Sequence, residues 1–505
     1  MLDASGLSDA IASREVSCCE VMEAYLDHIG RVNPLVNAIV SLRDRKALTA
    51  EAGERDDELA CGKYRGWMHG FPQAIKDLVP TKNIRTTRGS LLYKDHVPDF
   101  DAPLVRRVKE AGSIIIGKTN TPEFGLGSHT DNDVFGTTLN AYDQSRSAGG
   151  SSGGAAVALA LRMLPVADGS DHAGSLRNPA AFNNVFGFRP SARRIVCNDR
   201  DSCAPVLGVT GPMGRTVTDL ARLFSVQNRH DPLATFWTSV DSIRPAEALR
   251  RDFKDTRIAW LGDFGGYLAV EAGVIGLCEN AHRVFESIGC HIENARPAYP
   301  LQQLWEAWLT LRGWQIGGDL KRHARKPDQA ELLRPQARWE IESGFRHSAY
   351  DVYDAMVARR AWCEALSKLF DSFDYLLFPA AQAFPFDVAW QWPTEIGGRA
   401  MDTYHRWMEV AIPVTMSGCP AISVPVGLNE LGLPMGLQIV APYEADIRCL
   451  QLAHAYEHAT GWVENTLPSL LSPRILSDEA QSVYLANEWT VIHTPEQLET
   501  RSIRR

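Results

Sequence analysis

Apolar and polar positions follow a helical period from Cys18 to Val32, and Ser17-Cys18-Cys19-Glu20 supplies a capping box at the start of that run. Asn33-Pro34 closes the helix. A second helix is read from Gly153 to Leu161, where Gly-Gly-Ala-Ala-Val-Ala-Leu-Ala-Leu offers only small or apolar side chains and therefore close packing. Ser151 and Ser152 precede it and are placed to cap its first turn. Met163-Leu164-Pro165 breaks the helix, and Pro165–Asp168 reads as a short buried strand. Helices and short strands alternate up to about Pro190, which predicts a mixed or parallel sheet wrapped by helices. From about 215 to 370 the pattern becomes more helical, polar and irregular. Trp305 and Trp308 share one helix face there, a pattern of core packing, with an aromatic substrate lining as the lesser alternative. Phe378-Pro379-Ala380 ends a buried strand, and a Pro- and Trp-rich loop runs on through Trp392 towards a pocket rim.

These elements bring two serines together. A helix of roughly eleven residues spans about 16 Å, and a returning strand of roughly five residues covers a similar distance. The chain therefore returns to the helix N-terminus at the loop Ser170–Ser175, beside Ser151. Backbone N–H groups at such a Gly-Ser-rich loop favour developing negative charge. Upstream, Lys76 follows the mostly apolar Gly70–Ile75. A hydroxyl nucleophile, a hydroxyl relay and a lysine base make up a serine hydrolase that works without histidine. Lysine acts as a base only when neutral, so its pKa must fall from about 10.4 towards 7, a change within reach of a desolvated site. Asp77 is a neighbour along a strand and points to the opposite face.

GGSSGG (Gly149–Gly154) followed by GSDHAGSLRNPA (Gly169–Ala180) is similar to the amidase signature family. GKTNTPEF (Gly117–Phe124) and CPAISVPVGLNELGLPMGLQIV (Cys419–Val440) extend the resemblance in the same order, over roughly residues 7 to 465. The resemblance implies an α/β fold, a single large domain with a mixed β-sheet core covered by helices. It implies Ser175 as nucleophile, Ser151 (after a cis peptide bond) as relay, and Lys76 as the base that later returns a proton to the leaving amine. The N–H groups of His172, Ala173, Gly174 and Ser175 would form the oxyanion hole. Gly125 and Ser151 would contact substrate, and Ser152, Asp171 and Arg177 would support the site, the last two by bracing the loop. Where many members have a second glycine, this chain has Ala173, whose methyl would crowd the hole and whose backbone would be strained if φ were positive. The His172 side chain is read as packed or solvated rather than catalytic.

Other motifs lead elsewhere and are set aside. Gly112–Thr119 fits the phosphate-loop pattern, but its variable positions are themselves a strand. Gly150–Gly154 fits a nucleophile elbow centred on Ser152, which would need His405 or His454 as its base. His454-Ala455-Tyr456-Glu457-His458 matches a zinc-helix pattern without an identified third ligand, and no metal or other cofactor is expected. Arg334 and Arg338, candidates for a carboxylate clamp, read first as a solvated helix face.

Composition bounds the rest. With 505 residues, 45% hydrophobic and 22% charged, the chain can bury a large core. Residues of one site run from Lys76 past Ser175, so one domain over 1–465 is expected. It has a core at about 70–215, a variable substrate-side region at about 215–370 and an extension at 466–505. A net charge of −9 argues against nucleic acid and anionic membranes as partners. The sequence has no apolar run of transmembrane length, no secretion signal and no C-x-x-C among its 10 cysteines, which fits a cytoplasmic protein with reduced thiols. The expected activity is hydrolysis of linear aryl or alkyl acylamides, with carbamates (urethanes) and esters as further substrates. The alternatives are the amidase subunit of a glutamine-dependent amidotransferase and a non-catalytic binding protein on the same scaffold. Homodimerisation is left open.

Overall fold

The computed structural model describes residues 2–196, 207–228 and 248–472. In its N-terminal part, helices α1 (Ala4–Ala12), α2 (Cys18–Val32), α3 (Arg45–Ala60) and α4 (Pro103–Glu110) surround a three-stranded sheet. Its strands are β1 (Ile39–Val40), β2 (Pro72–Lys76) and β3 (Ile114–Thr119), in the order β1-β3-β2. The capping box predicted at Ser17 is present, with the Ser17 side chain accepting from the Glu20 N–H. β2 runs parallel to β3 and places Lys76 at its C-terminal end opposite Thr119. Every residue of both strands is buried, the polar Gln73, Lys76, Lys118 and Thr119 included.

The chain then forms α5 (Gly153–Ala160), β4 (Ala167–Asp171), α6 (Arg177–Phe182), β5 (Phe186–Arg189), β6 (Val209–Gly214) and α7 (Val217–Gln227). Strands β7 (Thr256–Trp260), β8 (Cys290–Asn294) and β9 (Tyr375–Pro379) follow, then a small hairpin of β10 (Glu395–Ile396) and β11 (Arg399–Ala400). The last pair is β12 (Ala421–Leu428) and β13 (Pro434–Val440). The eight-stranded sheet runs β4-β6-β5-β12-β13-β9-β7-β8. It is antiparallel from β4 through β9 and parallel only where β7 joins β9 and β8, so the expected mixed sheet is mainly antiparallel. Short hairpin-like returns such as β12–β13 explain this, since parallel neighbours need a long crossover.

Two hydrophobic cores result. One gathers the eight-stranded sheet and the later long helices Leu301–Ala324 and Ala349–Phe370. The other gathers the three-stranded sheet, the N-terminal helices and Ala155–Ala160 of α5. Ala173 belongs to the first core and Leu176 to the second, so the loop between them lies on the seam. Trp305 and Trp308 are core residues, 2% and 0% exposed, with ring centroids 5.0 Å apart. Of the expected C-terminal extension, Ser469–Leu471 forms a short 3-10 turn whose Leu470 packs on the second core; residues beyond 472 lie outside the described residues.

Two local expectations are corrected. β4 extends to Asp171, beyond the predicted Asp168, because its ladder with β6 continues through Ser170 and Asp171. Neither serine caps α5 through its side chain. Both hydroxyls are engaged by Lys76 instead. Helix α5 approaches the small sheet so closely that a Cβ at Gly154 would press on the backbone nitrogen of Asn120 and the carbonyl of Ala38. Gly154→Ala is expected to cost about 1–3 kcal/mol by overpacking, visible as a lowered thermal transition; an unchanged transition would contradict this packing.

Candidate active site

The site is built where the end of β2, the start of α5 and the end of β4 meet. Lys76 is fully buried. Its Nζ donates to Ser151 Oγ at 2.7 Å, Ser152 Oγ at 2.9 Å and Ser170 Oγ at 2.9 Å. The backbone holds the lysine from behind, where the Lys76 N–H donates to Asp168 Oδ2 at 3.2 Å. Asp77 is turned away as expected and accepts from the Thr87 N–H at 3.0 Å. Burial raises the Asp168 carboxyl to about 6, and its Oδ1 has no hydrogen-bond partner among the described residues. Ser170 and Asp168 are the site residues that sequence reasoning misses. An acidic residue inside an otherwise buried strand is the available signal.

Ser151 follows a cis peptide bond to Gly150, as the resemblance implied. Gly125 stands beside it with φ +73°, a region disfavoured for residues with a Cβ. A Cβ there would lie 3.3 Å from Ser151 Oγ and 2.9 Å from Leu78 Cδ1, so the glycine is required twice over. Ser175 is 6% exposed, and its carbonyl accepts from the Ser152 N–H at 3.2 Å. The two serine motifs are also joined through Ser152 Oγ, which bonds to the backbone of Ser170, and through Asn178 Oδ1, which accepts from the Gly150 N–H; no hydrogen bond is found between the Ser175 and Ser151 hydroxyls.

A fully buried ion network sets the loop between β4 and α6. Asp171 accepts from Arg177 Nε and Nη2, both at 2.9 Å, and from Arg189 Nη1 at 3.1 Å. It also accepts from the N–H groups of Gly174 (2.9 Å) and Leu176 (3.2 Å). The two guanidiniums and these bonds outweigh burial and hold the carboxyl well below the usual carboxylate range. Arg177 reaches on to Gln438 Oε1 at 2.5 Å, tying the loop to β13. Asp171 and Arg177 are thus paired with each other and with the backbone of this loop.

This network narrows the expected oxyanion donors. The Gly174 N–H is committed to Asp171, whereas no bond among the described residues occupies those of His172, Ala173 and Ser175. Gly174 takes the positive φ of the turn, +88°, and Ala173 is not among the residues with positive φ. The methyl of Ala173 joins the hydrophobic core. The anticipated strain and crowding at Ala173 are thus removed by the neighbouring glycine. The His172 ring packs edge-on against Trp308, 6.3 Å between centroids, and burial and nearby Arg312 push its pKa well down. Its carbonyl accepts from Thr415 Oγ1 at 2.7 Å.

The competing motifs are accounted for. Ser152 contacts Lys76 and no histidine. His405 is buried beside Glu340, 3.4 Å from Oε1, and His454 stacks near His458 with centroids 4.1 Å apart. Glu457 accepts from the Val217 N–H at 3.0 Å, and among the described residues no group of three or more His, Cys, Asp or Glu is arranged to hold a metal. Lys118 of the phosphate-loop match is buried in β3, donating to Val79 O and Thr81 Oγ1. Arg334 is paired with Asp131 and Asp133, and Arg338 donates to the Glu331 carbonyl.

A family model described as Amidase matches residues 20–450. The chain is similar to a glutamyl-tRNA(Gln) amidotransferase component from Thermosynechococcus vestitus, 32% identical over 476 residues that cover 90% of this chain and 96% of the relative. Among solved structures it is similar to a bacterial aryl acylamidase of the amidase signature enzymes, with a TM-score of 0.85 and 27% identity over 91% of this chain and 96% of that one. It is also similar to a 6-aminohexanoate cyclic dimer hydrolase, with a TM-score of 0.81 and 26% identity over 93% and 99%.

Asp171 generates a pH prediction. Its folded pKa is depressed, so its contribution to stability is present above the unfolded value of about 3.9 and is lost as pH falls below it. Asp171→Asn is expected to lower the melting temperature at pH 7 by several degrees and to flatten the acid limb of the stability curve below about pH 4. An unaltered acid limb would show that the network does not carry the loop.

Proposed function

The chain belongs to the amidase family, and on that premise we propose that it is a serine hydrolase of linear amides. The observation that carries the reading is the buried Lys76 amine, hydrogen-bonded to three serine hydroxyls at the mouth of the nucleophile loop. In this mechanism Ser175 Oγ bonds to the amide carbon while its proton passes through Ser151 to Lys76. The N–H groups of Ala173, Ser175 and His172 stabilise the oxyanion. The C–N bond breaks as the proton returns from Lys76 through Ser151 to the leaving nitrogen. Water then repeats the sequence on the acyl-enzyme, and Ser175 regains its proton as the acid departs. To act as a base Lys76 must be neutral, and one of the three serine hydroxyls then donates to Nζ instead of accepting from it. Aryl and alkyl acylamides are the substrate class, with carbamates and esters as further substrates that ask less of the proton return. No cofactor enters any step.

The second reading is the amidase subunit of a glutamine-dependent amidotransferase, favoured by the amidotransferase relative at 32% identity. It requires a stable partner and glutamine as the amide donor. Co-purification from the native source with hydrolysis of glutamine would favour it over the first. Among the described residues, no helix is long and apolar enough to cross a membrane.

Ser175→Ala is expected to lower turnover of an acyl 4-nitroanilide by about a thousandfold or more while the fold is retained; a normal rate would remove Ser175 from its role. Lys76→Ala is expected to reduce hydrolysis of that anilide about tenfold more than of the ester with the same acyl group. Equal losses on the matched pair would contradict the proton-return step.

A further inference from the structure

Away from the proton path, three polar side chains close a buried triangle of hydrogen bonds. Arg312 of the helix Leu301–Ala324 donates through Nε to Glu340 Oε1 at 2.5 Å and through Nη2 to the Tyr404 hydroxyl at 3.0 Å. Tyr404 closes the triangle by donating to the same Glu340 oxygen at 2.5 Å. Glu340 comes from the helix Pro335–Arg346, and both it and Arg312 are buried. Burial opposes the charge on Glu340, but Arg312, His405 and Tyr404 together outweigh it and hold the carboxyl at about 2, so the pair is ionic. The His405 ring packs against Tyr404, Trp339 and Trp308, with centroids 3.9, 4.8 and 5.2 Å away.

Two routes lead from this triangle to the loop between β4 and α6. On the first, the Arg312 guanidinium lies over the Trp308 ring, 5.3 Å from its centroid, and Trp308 meets the His172 ring edge-on at 6.3 Å. On the second, Tyr404 and His405 lead directly into the 3-10 segment Arg406–Ala411. The carbonyl of Ala411 accepts from Arg177 Nη1 at 3.3 Å, and its Cβ stands 2.9 Å from where a Cβ on Gly174 would lie. One route ends at His172 and the other at Gly174, so the triangle brackets the loop that carries the proposed oxyanion donors. Stability alone does not call for an ion pair here, since apolar side chains of similar volume serve a buried site as well or better. What the pair adds is direction, because a planar guanidinium fixes its partners in angle as well as distance. Oxyanion donors depend on such placement.

We propose that Arg312 and Glu340 are positioning residues for this loop, holding His172 through Trp308 and Gly174 through Arg406–Ala411 so that the loop N–H groups meet the oxyanion of the transition state. The role rests on the amidase reading, which supplies that oxyanion, so the test pairs kinetics with a measurement that needs no turnover. The full chain carrying both Arg312→Met and Glu340→Leu is expected to melt within about 5 °C of wild type, because the apolar pair refills the space. Its kcat on an acyl 4-nitroanilide is expected to fall about tenfold or more, with KM changed less than about threefold. Its affinity for a trifluoromethyl ketone, which forms an oxyanion on the attacking serine, is expected to fall in parallel. Hydrogen exchange read by mass spectrometry is expected to be about tenfold faster in the peptide spanning 169–180 and unchanged in β12 and β13. Glu340→Gln keeps the volume and an acceptor oxygen, and decides the matter should the double variant not fold. It is expected to lower kcat about threefold at unchanged KM and to loosen the same peptide. Wild-type kcat in a folded variant, a loss confined to KM, or unchanged exchange in the loop would overturn the proposal. A wild type that hydrolyses no amide, with the loop loosened in the variants, would instead count against the amidase reading alone.

Discussion

The site depends on a lysine amine buried among serine hydroxyls. Removing an ammonium from water costs several kcal/mol, and hydroxyls return only part of the hydration that is lost. The neutral amine is the form that the proposed base role requires. Everything around it follows from keeping the pocket dry: both strands of the small sheet that flank Lys76 are wholly buried, and α5 supplies only small or apolar residues so that its N-terminus can approach. Asp168, held on the backbone side of Lys76 and raised by burial, belongs to the same low-dielectric pocket.

Rigidity comes from a different source. Asp171 gathers two guanidiniums and two backbone N–H groups at zero exposure, and Arg177 passes the constraint to β13 through Gln438. Such a network is costly to break singly, because each partner removed leaves a buried charge uncompensated. It places the Ser175 loop on the seam between two hydrophobic cores. In the proposed mechanism the buried lysine supplies reactivity and the ion network supplies position.

Much of this was legible in the residues because it is local. The α2 capping box and the small-residue helix α5 follow from spacing within one or two elements, whereas the pairing of Asp171 with Arg177 and the place of Gly125 beside Ser151 lie where the family resemblance pointed. What escaped was non-local or competitive. Ser170 reaches Lys76 across two elements, and Asp168 meets the Lys76 backbone across a sheet boundary, contacts that no periodicity announces. The serines before α5 looked like caps, but a buried amine competes more strongly for their hydroxyls than a helix terminus does. Strain at Ala173 was conditional on a positive φ, which falls to Gly174 instead. The sheet is mainly antiparallel because its central strands β12 and β13 return by a short connection.

Ser152 and Ser151 both bond to Lys76, so identifying the serine that forms the covalent intermediate is the decisive question. The direct measurement is peptide mapping by mass spectrometry after reaction with a fluorophosphonate, which traps an activated serine covalently. The account predicts a single adduct on the peptide containing Ser175, formed much more slowly in Lys76→Ala. An adduct on Ser152 or Ser151 in the wild-type protein, or labelling of Ser175 at an undiminished rate without Lys76, would contradict it.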